Sequence, residues 1–270
     1  PNLSVEQAFE LTDAAAERSA AAGCIKLSEE SVCTYLRSNV ALMKKMIEEG
    51  YQDPETLQGR IDAVNEWLKD PKLLEADANA EYAAVIEIDL SEITEPILAC
   101  PNDPDDVKLL SDIQGTPIQD IFLGSCMTNI GHFRAAAEIW RGEKFNPNVR
   151  TWVCPPTRMD QDKLKEEAVF SVFSAMGARL EIAGCSLCMG NQARVPDGVN
   201  MFSTSTRNFD DRIGNGAQVY LGSAELGAVT STMGKLPTPA EYLAVYKEKV
   251  APKKDEIYQY LQFDEMDGYK

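Results

Sequence analysis

Basic side chains are scarce in this sequence beside acidic ones. Histidine occurs once, at His132, and 26 lysines and arginines stand against 43 aspartates and glutamates, a formal net charge of -17 over 270 residues. Such a surface repels phosphate backbones and anionic lipid, so any anionic ligand has to be caught by a local basic cluster. Long apolar runs are absent too. No stretch has the length of a membrane span and no charged leader precedes an apolar h-region, which predicts a soluble protein with no membrane association. The seven cysteines are odd in number and irregular in context, unlike the dense, even framework of a small secreted protein, so a reducing cytoplasm is the expected compartment. The length suffices for one large domain or two modest ones without disulfides.

Residues 1–81 read as a helical segment. Ser4 and Gln7 have the spacing of a capping box ahead of a run reaching Ala22, with Gly23 as the stop. A second helix fits Ser28 to Glu49 before Gly50, with Val32, Leu36, Val40, Met43 and Ile47 as one apolar stripe. Asp53 and Pro54 open a third, which carries Leu57, Ile61, Val64 and Leu68 inward and stops near Asp70-Pro71.

Residues 82–270 read as α/β. Short β-branched runs at 84–89, 120–124, 149–153, 179–183, 199–203 and 218–221 are the predicted strands. Helical patterns lie between them at 130–141, 160–176 and 223–233, which implies parallel pairing through right-handed crossovers. The tail adds a helix with Thr238 as N-cap, Pro239 at N1 and Glu241 at N3, then a short one near 255–261.

Three cysteines stand apart from the rest. Cys126 follows the strand ending at Gly124, while Cys185 and Cys188 follow the strand ending near Ala183. In open parallel sheets the carboxyl ends of the strands line the ligand crevice, so these two loops can face one another there. Gly184 and Gly190 bracket the C-x-x-C pair and permit close backbone approach. An iron-sulfur cube held by three thiolates keeps one iron without a protein ligand, and that iron can act as a Lewis acid.

A bare C-x-x-C suits zinc or a redox dithiol equally well. A structural zinc site wants a fourth ligand, and the lone His132 is more often a packed or capped helix residue than a metal ligand. A thioredoxin-like dithiol leaves Cys126 unexplained. Cys24, Cys33 and Cys100 read as small buried hydrophobes, and Cys154, at a strand end, is a candidate neighbour of the site. Beyond the next strand, Arg207 and Arg212 lie five residues apart in the polar run STSTRNFDDR. Alone they read as solvated partners of Asp210 and Asp211. Beside the cysteines, their planar forks suit a polycarboxylate.

Four ordered motifs, GSCMTN at 124–129, CSLCMGNQ at 185–192, STRNF at 205–209 and LGSAE at 221–225, resemble the aconitase family over essentially the whole chain, and its bacterial branch most. The resemblance implies a three-layer α/β cluster domain preceded by the helical end of another domain, in a polypeptide longer than this one. It implies a 4Fe-4S cluster on Cys126, Cys185 and Cys188, with Arg207 and Arg212 contacting substrate carboxylates. The implied reaction of the complete polypeptide is the dehydration and rehydration that interconverts citrate and isocitrate through cis-aconitate in the tricarboxylic acid cycle, and that of 2-methylisocitrate. The catalytic base belongs to segments with no counterpart here. The alternatives are a cluster-dependent sensor that binds mRNA when iron is lost, a role associated with the family, a metal-stabilised scaffold, and dehydration of isopropylmalate or homoaconitate by a relative. The acidity of this chain argues against it supplying the main RNA contacts.

Overall fold

The computed structural model describes residues 3–185, 188, 190 and 193–269. Of the CSLCMGNQ motif, Ser186, Leu187, Met189, Asn191 and Gln192 lie outside the described residues. The chain gathers into two compact units, one made of residues up to 16, 20–88 and from 261 on, the other of 17–19 and 89–260.

The first unit is helical. In α1 (Val5–Glu17) the predicted box forms reciprocally: Gln7 N donates to Ser4 Oγ at 3.2 Å and Ser4 N to Gln7 Oε1 at 3.0 Å. The helix ends five residues before Ala22, where Ser19 takes a left-handed φ of 57° and the following alanines and Gly23 offer no bulky apolar face to bury. α2 (Glu29–Glu48) starts on the Ser28 cap and stops before Gly50, at φ 85°, and α3 (Pro54–Trp67) starts on Asp53 and buries Leu57 and Ile61. The Ser38 hydroxyl of α2, buried, accepts from Phe263 N at 2.9 Å and so fixes the chain terminus to that helix. The strand expected at 84–89 does not form. Residues 84–89 lie outside every sheet, and Val85, Ile86 and Ile88 stay exposed. A strand exists only with a neighbour to receive its backbone groups, and alternation in sequence cannot supply one.

The second unit is built on a seven-stranded sheet of order β2-β1-β7-β6-β3-β4-β5. β3 (Asp120–Gly124), β4 (Arg150–Cys154), β5 (Arg179–Leu180), β6 (Asn200–Ser203) and β7 (Gln218–Leu221) are mutually parallel, as expected. β1 (Ile97–Ala99) and β2 (Val107–Leu109) form an antiparallel hairpin on β7; at three residues each they are too short to show alternation. α4 (Leu110–Ile113) follows directly. All five residues of β3 are buried. At its amino end Asp120 takes the Arg150 Nε–H at 2.7 Å and the Trp152 Nε1–H at 3.3 Å, and the Arg150 and Arg179 guanidiniums lie 5.0 and 4.3 Å from the Trp152 ring centroid.

Helices cover the sheet. α5 (Ile130–Trp140) buries eight of its eleven residues, and α8 (Ala224–Met233) has Ser223 as its N-cap. α8 lies so close to the strands that a Cβ on Gly227 would come 2.8 Å from Leu123 and Phe202. Trp140 joins the two helices by donating Nε1–H to Ser231 Oγ at 2.9 Å. The helix predicted over 160–176 is two, α6 (Arg158–Glu166) and α7 (Val169–Met176), separated at Ala168 with φ 58°. Arg134 of α5 grips Glu167 with two hydrogen bonds of 2.7 and 2.8 Å at that break. This tertiary fork holds a left-handed alanine that no local signal announces. α9 (Pro239–Val245) carries the full capping box on Thr238 and Glu241, and α10 (Lys254–Ile257) closes the unit.

The topology decides where a ligand can go. From β3 the chain moves outward to β4 and β5, then returns to β6 on the other side of β3. The loops leaving β3 and β6 therefore diverge at a switch point, and the crevice of an open parallel sheet opens there.

Candidate functional site

Gly124 ends β3 with φ 154°, and a Cβ there would sit 2.3 Å from the Cys154 carbonyl oxygen. Only glycine lets the ends of β3 and β4 approach this closely. The chain then turns tightly: Ser125 Oγ and Thr128 Oγ1 are 2.9 Å apart, Met127 N donates to Ser125 Oγ at 3.2 Å, and both hydroxyl residues are buried while Cys126 is exposed. Thr204, just past β6, locks this turn. Its Oγ1 accepts from Gly124 N at 2.8 Å and donates to Gly124 O at 3.0 Å, and its own N–H bonds Phe122 O at 3.1 Å. The first cysteine is thus fixed to the β6 side of the switch point.

The second loop leaves β5, two strands away, and is tied back to the end of β4. Cys154, fully buried at the end of β4, shares its S–H proton between Ile182 O and Gly184 O, each 3.1 Å away, and Gly184 N donates to Pro155 O at 2.9 Å. Gly190, at φ 64°, lies against the next segment so tightly that a Cβ would meet Arg212 O at 2.3 Å. Val195 N closes the loop on Ile213 O at 2.9 Å.

These tethers seat Cys188 in an apolar cluster with Trp152, Cys154, Met201 and Ile213. Burial pushes its thiol above the ordinary value, the Arg212 charge draws it down, neighbouring Cys185 pushes it up, and a hydrogen bond from Ser205 and the Arg207 charge draw it down again. Cys185, Cys188, Arg207 and Arg212, chosen from sequence alone, are therefore electrostatic neighbours. Asn208 fixes the arginine-bearing run by donating to Cys100 O at 2.7 Å and accepting from Asn102 N at 3.2 Å. Asp211 turns its carboxylate to Gly216 N at 2.6 Å, a backbone partner in place of the arginine partner that the solvated reading assigns it.

Among the described residues no group of three or more His, Cys, Asp and Glu side chains is gathered closely enough to hold one metal ion. A cube asks for a wider arrangement, because each protein thiolate meets a different iron. Sequence reasoning overlooked Thr204 and Ser205, whose Ser/Thr-rich run directly after a strand is the available signal, and it left Cys154 only as a neighbour to watch.

His132 lies in the first turn of α5, with Nδ1 3.2 Å from Glu225 Oε1, which also accepts from Tyr258 OH at 2.7 Å. Burial raises the Glu225 carboxyl, but the His132 hydrogen bond and charge and the Tyr258 hydroxyl outweigh it and lower it to about 2. Gly131 admits Tyr258 here, since a Cβ would stand 2.9 Å from its Cα. His132 is a packed helix residue, paired with a buried carboxylate.

Residues 108–234, which include all three cysteines and both arginines, match the model of the aconitase family (aconitate hydratase). Aconitate hydratase B of Synechocystis sp. is 62% identical over 270 residues, and that of Escherichia coli is 58% identical over 269; each match covers 100% of this chain and 31% of the relative. The 3-isopropylmalate dehydratase large subunit of Sulfurihydrogenibium sp. is 34% identical over 180 residues, covering 66% of this chain and 41% of that subunit. The chain thus spans about a third of the length of the aconitate hydratase B proteins it matches. The family match across residues 108–234 and the 62% identity over the chain's full length show that the chain carries an aconitase family domain.

Proposed function

We propose that this chain is the cluster-bearing part of a cytoplasmic aconitate hydratase of the B type, with Cys126, Cys185 and Cys188 holding a 4Fe-4S cluster. The residues suit that group in chemistry: the donors are three thiols on two loops, two of them exposed. When bound, the cluster supplies a Lewis-acidic iron that polarises a hydroxyl on the substrate. Arg207 and Arg212 bind and orient the carboxylates of citrate, isocitrate, cis-aconitate or 2-methylisocitrate. Their charge also favours the thiolate form that Cys188 needs as a ligand. Ser205 holds that sulfur in place. The base that removes the substrate proton comes from polypeptide outside this chain, so the isolated chain is inactive.

The observation that carries this reading is the convergence on Cys188: one buried sulfur in electrostatic contact with its C-x-x-C partner and with both guanidiniums. The 3-isopropylmalate dehydratase large subunit matches at 34% over 66% of this chain, against 62% over its full length for aconitate hydratase B, which favours a tricarboxylate.

Anaerobic reconstitution with ferrous iron and sulfide is the test. The expected result is about four irons per chain, with a cluster spectrum that citrate perturbs in the complete polypeptide. Retention of zinc with no sulfide would sink the assignment.

A further inference from the structure

Tyr82, Ala84, Ile86 and Ile88 alternate with Ala83, Val85 and Glu87, so in extended backbone one face of this run is wholly apolar and the other becomes acidic toward Asp89. Yet Tyr82 is 67% exposed, Val85 78%, Ile86 82% and Ile88 71%. None of residues 82–88 makes a backbone hydrogen bond to a described residue. Four bulky apolar side chains in seven residues, with an open row of backbone donors and acceptors on each edge, is what a strand looks like without its neighbour.

We infer that residues 82–88 are an interface strand that docks, by strand addition, onto a strand of the further polypeptide that aconitate hydratase B proteins carry. The inference rests on the family reading above. The match covers every residue of this chain but only 31% of the relatives, so the segment lies inside the shared region while most of the protein that could cover it lies outside. Charge speaks against a second copy as the occupant. An in-register parallel pair would set Glu87 against Glu87 and Asp89 against Asp89, and an antiparallel pair centred on Val85 would set Asp89 against Glu81. Like charges directly opposite destabilise a ladder, and each chain already carries a net charge of -17. The fitting partner is a strand with an apolar face and neutral or basic residues opposite Glu87 and Asp89.

Hydrogen exchange read by mass spectrometry tests this on the polypeptide purified from its own cells, beside the 270-residue chain. The amides of 84–88 should exchange near the unprotected rate in the 270-residue chain and on the order of a hundredfold more slowly in the native polypeptide, as local pairing demands. Ile86→Lys in the native polypeptide should abolish that protection without altering exchange in β3 or β4. Fast exchange in both proteins, a native mass equal to 270 residues, or protection that rises with the concentration of the 270-residue chain would each overturn the proposal, the last by showing a second copy as the occupant. Iron content and the citrate response of the same native sample are read separately. Their loss with the amides still protected would reject the functional reading and leave the interface standing.

Discussion

The two cysteine loops are held to the sheet by opposite means. The loop after β3 is short and determined by what is next to it: a glycine that only just fits, a Ser125–Thr128 turn, and Thr204 bonded to both faces of the Gly124 peptide. The loop after β5 is long, crosses the end of β4, and depends on remote tethers: the Cys154 thiol under Ile182 and Gly184, Gly190 against Arg212, and Ser205 at Cys188. Rigidity in the first comes from strand geometry. In the second it comes from side chains of other elements, so the two should fail differently when their supports are removed.

Gly124→Ala should be the most damaging substitution. It places a Cβ 2.3 Å from a backbone carbonyl that belongs to a neighbouring strand and cannot yield, at a φ of 154° that side chains rarely adopt. A loss of about 4 kcal/mol is expected, in the range reserved for core clashes with strain, measurable by urea denaturation. Gly190→Ala carries an equal clash with Arg212 O on a loop whose named supports are side chains of other elements. Its stability loss should be the smaller of the two, about 2 kcal/mol. Equal losses would show that the loops are supported alike.

Glu225 gives the comparison a reference point within the same unit. Its carboxyl is lowered from 4.5 to about 2, which corresponds to about 3 kcal/mol of stabilisation at one pKa unit per 1.36 kcal/mol. A depressed carboxyl stabilises the fold above its unfolded value and loses that contribution as pH falls. The advantage of wild type over Glu225→Gln should therefore be full above about pH 4.5 and shrink steadily toward pH 2. Melting temperatures of both proteins across that window would show it, and a pH-independent gap would contradict it.

What the sequence announces and what it hides follow the same division. Strands β3, β6 and β7, the caps at Ser4 and Thr238 and the helix starts near Ser28, Asp53 and Ser223 are local, written in alternation and in single residues, and they were legible within a residue or two. The break at Ala168 was not, because Arg134 on another element enforces it. The run 84–89 misled, since its pattern states a preference for pairing and is silent on whether a partner is present. At the site, cysteines and arginines show in sequence because their chemistry is rare. Thr204 and Ser205 do not, since hydroxyls do common work in many loops and only the fold reveals what they bond.

Thr204→Val and Cys154→Val separate the loops more finely. The first removes the hydroxyl that bridges Gly124 N and O and should cost about 1–2 kcal/mol, with faster exchange confined to residues 124–128. The second removes a weaker S–H donor from a buried site and should cost about 1 kcal/mol, with faster exchange at 182–184 and an unchanged β3 loop. Spread of either effect into the other loop would mean that the two are one cooperative unit.

The smallest expected change in stability belongs to Arg207→Lys, which keeps the positive charge on a half-buried residue and leaves the Asn208 tethers to Cys100 and Asn102 intact. Denaturation midpoints should match wild type, and cluster loading should be preserved because the electrostatic pull on Cys188 from that position persists. Citrate binding should weaken at least tenfold, since an ammonium offers a point charge where a carboxylate meets a planar fork. Titrating the citrate-induced change in the cluster spectrum of the complete polypeptide isolates that step from folding and from assembly. An unchanged titration would remove Arg207 from the carboxylate site and leave Arg212, buried behind Gly190, as the guanidinium that faces the ligand.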